Sequence, residues 1–255
     1  MEERQTNYTT MEGHFLPSNG EIYDKIVNKN VELRSMTARD EMKRLSPSVT
    51  PLKTLADIIE GCMIEKPAIK VYDMCLGDYE FLLHKLRIVT YGPKYAVSLG
   101  CPHCNEVFDA EVNLDDLEIR EFDINKFEEL KVIHLPKSDV KVELQFQTPR
   151  ILDEIDLEAK EMKRKYKTAA VDFSPLIKLS KSIKTVDGRK LSAMELETFI
   201  NNLPALDFQK MLKAIDELNA FIGINNKFEL SCSHCGGEVI SFFRLGSEFF
   251  RPSNI

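Results

Sequence analysis

Apolar positions recur at helical spacing in five stretches of the chain. Leu52, Leu55, Ala56, Ile59 and Met63 predict a helix from residue 51 onward, with Pro51 in its first turn. Tyr79, Leu82, Leu86 and Val89 predict a second over residues 78–90, stopped by Gly92 and Pro93. Ile151, Ile155, Ala159, Met162 and Tyr166 predict a third over residues 149–170. Its acids come early (Asp153, Glu154, Asp156) and its bases late (Lys163, Arg164, Lys165, Lys167), which complements the helix dipole. Leu196, Phe199, Ile200 and Leu203 follow a Ser192–Glu195 capping box. Phe208, Met211, Leu212, Ile215, Leu218 and Ile222 follow Pro204, and Gly223 ends that run.

Elsewhere the period is two. Val140, Val142, Leu144 and Phe146 alternate with Lys141, Glu143, Gln145 and Gln147, which predicts a half-buried strand. With residues 131–135 it forms a hairpin through 136–139. Residues 94–100, 106–114, 227–231 and 238–245 also read as strands, as do residues 176–183 ahead of a turn at Asp187-Gly188. Near the start, residues 1–13 read as a polar, mobile lead-in, and 16–20 as a turn. Residues 21–36 read as extended, broken at Asn28-Lys29-Asn30. Thr37 caps a short helix that stops before Pro47, with Asp40 and Glu41 in its first turn.

Two strand-to-strand turns carry the chemistry. Cys101-Pro102-His103-Cys104 and Cys232-Ser233-His234-Cys235 are both C-x-x-C knuckles with His before the second Cys. A C-x-x-C at a tight turn brings two thiolates to one ion, and two such turns supply the closed tetrahedral set of a structural zinc. Cys104 and Cys232 lie 128 positions apart, so a whole subdomain is inserted between the halves of one ribbon. The competing readings are two redox dithiols or four unrelated buried thiols. A redox dithiol belongs at a helix start within a βαβ pattern, and neither pair sits in one. Four sulfurs leave no open position for a catalytic water. His103 and His234 either replace a neighbouring Cys as ligand or lie at the rim.

The chain has 255 residues, 43% of them apolar, so it can bury a sizeable core. Its net charge of −7 argues against general nucleic-acid binding. No apolar run reaches membrane-spanning length, and the polar start is not a secretory signal. Four of the six cysteines have metal spacing, which suits a reducing compartment. Cys62 and Cys75 sit among apolar residues and read as buried free thiols. Phosphate-binding, dinucleotide, zincin and nucleophile-elbow motifs do not occur. Acidic neighbours such as Asp115-Asp116 and Glu128-Glu129 point different ways on a regular element, so they form no acid–base pair. The chain reads as a non-enzyme.

The end is aromatic: Phe242, Phe243, Phe249 and Phe250, with Arg244 and Arg251 beside them. Aromatics and Arg are enriched at interface hot spots, so Phe249, Phe250 and Arg251 are candidate partner contacts, the alternative being the ribbon's own core. If residues 242–243 are strand, only one of that pair faces the core.

Several short stretches together resemble a known family. They are residues 16–20 (Leu-Pro-Ser-Asn-Gly) with Tyr23, residues 33–41 (Leu-Arg-Ser-Met-Thr-Ala-Arg-Asp-Glu), and residues 86–92 (Leu-Arg-Ile-Val-Thr-Tyr-Gly) leading to Tyr95 and the first knuckle. The second knuckle and residues 249–252 (Phe-Phe-Arg-Pro) complete the set. This is similar to the baseplate hub and hub-assembly proteins of T-even-like contractile-tailed bacteriophages. The resemblance implies a structural or assembly protein of the central hub of the tail baseplate. It would be made in the host cytoplasm, with other hub proteins as partners, and be either a virion component or a factor absent from the finished particle. A zinc-ribbon module of a transcription or replication complex is the alternative. The knuckles are followed by Asn105-Glu106 and Gly236-Gly237-Glu238, where a phosphate-gripping ribbon needs cations.

The expected fold class is α+β: a zinc-ribbon-like β element built from two distant C-x-x-C knuckles, with N-terminal helices and a mostly helical insertion. The expected divisions are residues 1–50 (extended segment and first helix), 51–148 (helices, first knuckle, β-rich part), 149–223 (helical insertion) and 224–255 (second knuckle and C-terminal strand), the last packing with residues 94–114.

Overall fold

The computed structural model describes residues 10–23, 30–167, 171–243 and 245–250. It opens with β1 (Thr10–Phe15), paired antiparallel to β2 (Asn30–Arg34). The polar lead-in thus becomes strand from Thr10, and residues 28–29 of the expected break lie outside the described residues. Between the strands Asn19 and Gly20 take left-handed φ values of 52° and 72° in the expected turn. Thr37 caps α1 (Ala38–Leu45) in a capping box closed by Asp40. Next come α2 (Pro51–Cys62) and α3 (Leu76–Tyr91).

A first hairpin, β3 (Lys94–Gly100) and β4 (Val107–Asn113), carries the first knuckle. The chain continues through β5 (Ile119–Arg120), α4 (Ile124–Leu130), β6 (Val132–Leu135), β7 (Val140–Leu144) and α5 (Pro149–Lys165). It then forms α6 (Ser174–Ser182), β8 (Ile183–Val186), α7 (Ala193–Asn201) and α8 (Ala205–Ala220). A two-residue strand, β9 (Gly223–Ile224), leads to β10 (Lys227–Ser231) and β11 (Glu238–Phe242), the hairpin of the second knuckle.

Two sequence expectations change. Residues 176–182 are helix, because Pro175 opens the first turn of α6 and Ile177 and Leu179 fall on its buried side. Strand begins only at Ile183, where β8 joins β7. The short α4, capped by Asp123 through the N–H groups of Asn125 and Lys126, buries no residue fully and so left no stripe to read. The sheet β6–β7–β8 spans the expected division at 148/149, and its Leu135, Val142 and Leu144 share one core with Met211, Ile215 and Leu218 of α8.

The middle of the molecule is α3. It is buried around its circumference: Phe81, Leu83 and Ile88 are covered as well as the expected stripe, and so are Asp78, His84, Lys85 and Arg87. Such burial is tolerable where the polar groups have partners, as Asp78, His84 Nε2 and Arg87 do, while Lys85 Nζ lies over the Phe81 ring. Asp78 accepts from Ser18 N–H at 2.9 Å and from the Tyr23 hydroxyl at 2.6 Å, which ties the N-terminal turn to the helix. His84 Nε2–H donates to the Leu114 carbonyl at 3.0 Å. The Arg87 guanidinium, itself unexposed, donates to the carbonyls of Gly92 and Lys94 at 2.8 and 3.3 Å. It also lies over the rings of Tyr91 and Tyr95. It therefore fixes the turn, with Gly92 at φ 83°, that feeds β3.

At its other end α3 meets β9 without side chains between them. A Cβ on Gly77 would lie 2.7 Å from the Ile222 carbonyl oxygen, and one on Gly223 would lie 2.6 Å from the Gly77 Cα. Gly223 also has φ 100°. Among the described residues no helix is long and apolar enough to cross a membrane.

Thr50 gives α2 no side-chain cap. The cap comes from 100 residues away: the buried Asp153 of α5 accepts from Leu52 and Lys53 N–H at 3.3 and 3.0 Å, and from the Tyr72 hydroxyl at 3.0 Å. Asp153→Ala should cost about 2–3 kcal/mol, since it strips a buried helix end and a hydroxyl of their acceptor. Asp153→Asn should retain part of this, and denaturant midpoints check both.

Burial pushes the Glu80 carboxyl up to about 7, against a bond from Asn226 that pulls it down. The unfolded chain releases that proton near 4.5, so the folded state binds the extra proton between these values. Stability should therefore fall as pH rises from 4.5 to about 7 and level off above. Glu80→Gln should stabilise the protein most at pH 8 and least near pH 4.5, read from thermal midpoints across that range.

Candidate metal centre

The two knuckles repeat each other bond for bond. Cys101 N–H donates to the Glu106 carbonyl and Cys232 N–H to that of Gly237, both at 2.9 Å. Asn105 and Gly236 N–H close back onto the carbonyls of Cys101 and Cys232, again both at 2.9 Å. His103 and His234 N–H point at Cys101 Sγ and Cys232 Sγ, both at 3.4 Å. The residue after each second Cys is left-handed, Asn105 at φ 62° and Gly236 at φ 72°. Asn and Gly are the residues that take that conformation most readily, and this is the local reason the chain turns here.

The hairpins meet through their inner faces. Phe108 and Val239 join Cys101 and Cys232 in one buried cluster, with Leu99, Ala110 and Leu230 against it. This brings all four sulfurs within 4.8 Å of one another. Cys101 and Cys235 stand 3.7 Å apart, Cys104 and Cys232 3.8 Å. A zinc–sulfur bond of about 2.3 Å needs tetrahedral sulfur edges of about 3.8 Å, so the set fits such an ion.

The protonation pattern agrees. Burial opposes ionisation of Cys101, but the N–H groups of Cys104 and His103 and the facing thiols outweigh it and bring the thiol down to about 7. At Cys104 the Glu106 N–H favours the thiolate, yet burial and three neighbouring thiols carry it up to about 12. Cys232 is lowered and Cys235 raised in the same manner. One thiol of each knuckle is thus lowered and the other raised. A divalent cation among them would supply the charge to ionise all four.

Neither histidine ring enters the sulfur cluster. His103 Nε2–H instead donates to the Glu238 carbonyl of the other knuckle at 3.0 Å. Exposed at the tips are Pro102, His103, Asn105, Glu106, Ser233, His234, Cys235, Gly236 and Glu238, with no Lys or Arg among them. Cys62 and Cys75 are buried free thiols elsewhere in the core.

A family model described as T4 bacteriophage base plate protein matches residues 10–251. The chain belongs to that family. No curated protein and no solved structure is found similar to it. As a phage baseplate protein it has a structural setting, and both knuckles fall within the matched residues.

The C-terminal aromatics of this baseplate protein need a correction. Phe249 and Phe250 are 1% and 0% exposed, so the expectation that they meet a partner gives way to a core role. A short 3-10 turn (Ser247–Phe250) carries them inward. Phe249 packs on Tyr95 and Phe243 beneath the two hairpins, and Phe250 joins the core around α3. Arg251 and Arg244 lie outside the described residues. Of the strand pair, Phe243 faces the core at 7% exposure and Phe242 faces solvent at 65%. Sequence reasoning missed the role of Gly237, whose Cβ would collide with the His103 ring. The doubled Gly236-Gly237 was its only local signal.

Phe249→Ala should destabilise the protein by about 3–5 kcal/mol, the cost of emptying a buried ring site. Truncation after Leu245 should do more, since it removes both rings. Chemical unfolding of the two variants is the check, and a midpoint like the parent's would contradict this packing.

Proposed function

We propose that this chain is a hub or hub-assembly protein of the phage tail baseplate. It acts through protein–protein contacts on a scaffold pinned by one structural zinc at Cys101, Cys104, Cys232 and Cys235. The family match over residues 10–251 carries the baseplate reading. The four-sulfur cluster supports the metal. Other hub proteins are the partners, met first in the host cytoplasm and then in the tail.

When bound, zinc supplies a cross-link between segments 128 positions apart. Closing such a loop costs roughly 4–5 kcal/mol of chain entropy, against about 10–16 kcal/mol from a structural zinc. The metal term wins, and the surplus stiffens the two hairpins. A closed sulfur set stiffens rather than catalyses, so catalysis forms no part of this reading.

Protein purified without added metal should contain one zinc per chain. A strong chelator should loosen the knuckles to proteolysis while circular dichroism keeps most of its helix signal, because the helices pack in clusters that exclude the cysteine knuckles. Complete helix loss would mean one cooperative unit. For the hub role, a nonsense mutation in the phage gene should stall baseplate assembly before the hub is complete. Normal tails would overturn it. Salt-sensitive retention on heparin would favour the nucleic-acid alternative.

A further inference from the structure

We propose that His103 is a positioning residue that latches one knuckle to the other, so that the four sulfurs are gathered in register for the ion. The proposal rests on the zinc reading above and deepens it. The knuckles are alike in every local bond, but not in their histidines. The His103 ring reaches across 135 positions of sequence to donate to the Glu238 carbonyl at 3.0 Å. A carbonyl can only accept, so Nε2 carries the proton and is not available to a metal. Among residues 101–106 and 232–238 this is the one hydrogen bond between the knuckles that does not involve sulfur.

The opposite knuckle is shaped to receive the ring. A Cβ on Gly237 would lie 2.5 Å from His103 Cδ2 and 3.3 Å from Cys235 Sγ. The ring therefore rests on bare backbone two residues after a ligand sulfur. On its own side, His103 N–H holds Cys101 Sγ at 3.4 Å. One residue thus contacts a sulfur of the first knuckle and grips the backbone of the second. Such a contact sets the distance between two segments that share no strand pairing. Groups that orient metal ligands from outside commonly change affinity about 10–100-fold when removed.

The test uses full-length protein, zinc-loaded, with release timed by a chromophoric chelator. His103→Phe keeps a ring but loses the donor, and should release zinc about tenfold faster. Gly237→Ala should do the same by displacing the ring. His103→Ala combined with Gly237→Ala should be no faster than His103→Ala alone, because both act through one contact. Cobalt-substituted His103→Phe should show weaker tetrahedral ligand-field bands than the parent. Unchanged release in His103→Phe, or additive losses in the double variant, would overturn the latch. If the parent holds no metal, the zinc reading falls separately. The latch is then judged on the apo-protein by the rate at which oxidised glutathione joins Cys104 to Cys232. A drop of about tenfold in His103→Phe supports it, and an unchanged rate sinks it.

Discussion

Two backbones touch where Gly77 meets Gly223, and the placement of the second knuckle relative to the first depends on that contact. Any side chain at either position would drive α3 and β9 apart, since the nearest atoms are backbone and cannot swing away. From Gly223 the chain has only a few residues before β10 begins, so the second hairpin starts beside the N-terminal end of α3. The first hairpin starts at the opposite end, where Arg87 holds the Gly92 turn. One helix thus anchors both cysteine hairpins, although the chain between them builds five more helices and a three-stranded sheet.

The centrality of α3 was only half legible. Its apolar stripe was plain, but nothing in that spacing marked Arg87, His84 and Lys85 as buried too. The burial of Arg87 and His84 depends on carbonyls at Gly92, Lys94 and Leu114 and on two tyrosine rings, contacts that exist only once the first hairpin has folded back. Asp153 misled in the same way. It read as an acid suited to the start of its own helix, yet it serves the start of α2. Phe249 and Phe250 had the composition of a hot spot and the burial of a core, and composition alone does not separate the two.

The knuckles were legible because their chemistry is local. Two residues between cysteines set the bite of each pair, and a left-handed Asn or Gly closes each turn. Hairpin order, caps and the Asp187-Gly188 turn were legible for the same reason. The meeting of the two pairs, and the ring of His103 on Gly237, belong to the tertiary fold and left no mark in the spacing beyond the repeated motif. The expected strand at 176–183 failed by a register of hydrophobic residues that both periods could claim, decided for helix by Pro175.

The separation of the knuckles also has a cost in time. A ribosome adds roughly 5–20 residues per second, so Cys101 and Cys104 emerge roughly 6–25 s before Cys232 and Cys235. Through that interval the nascent chain presents a bare dithiol, free to hold a metal ion loosely or to be oxidised. In the same way α2 lacks its cap until Asp153, 100 positions after Lys53, has been made. In that interval a reducing milieu is what keeps the first pair as free thiols, before the finished fold exists.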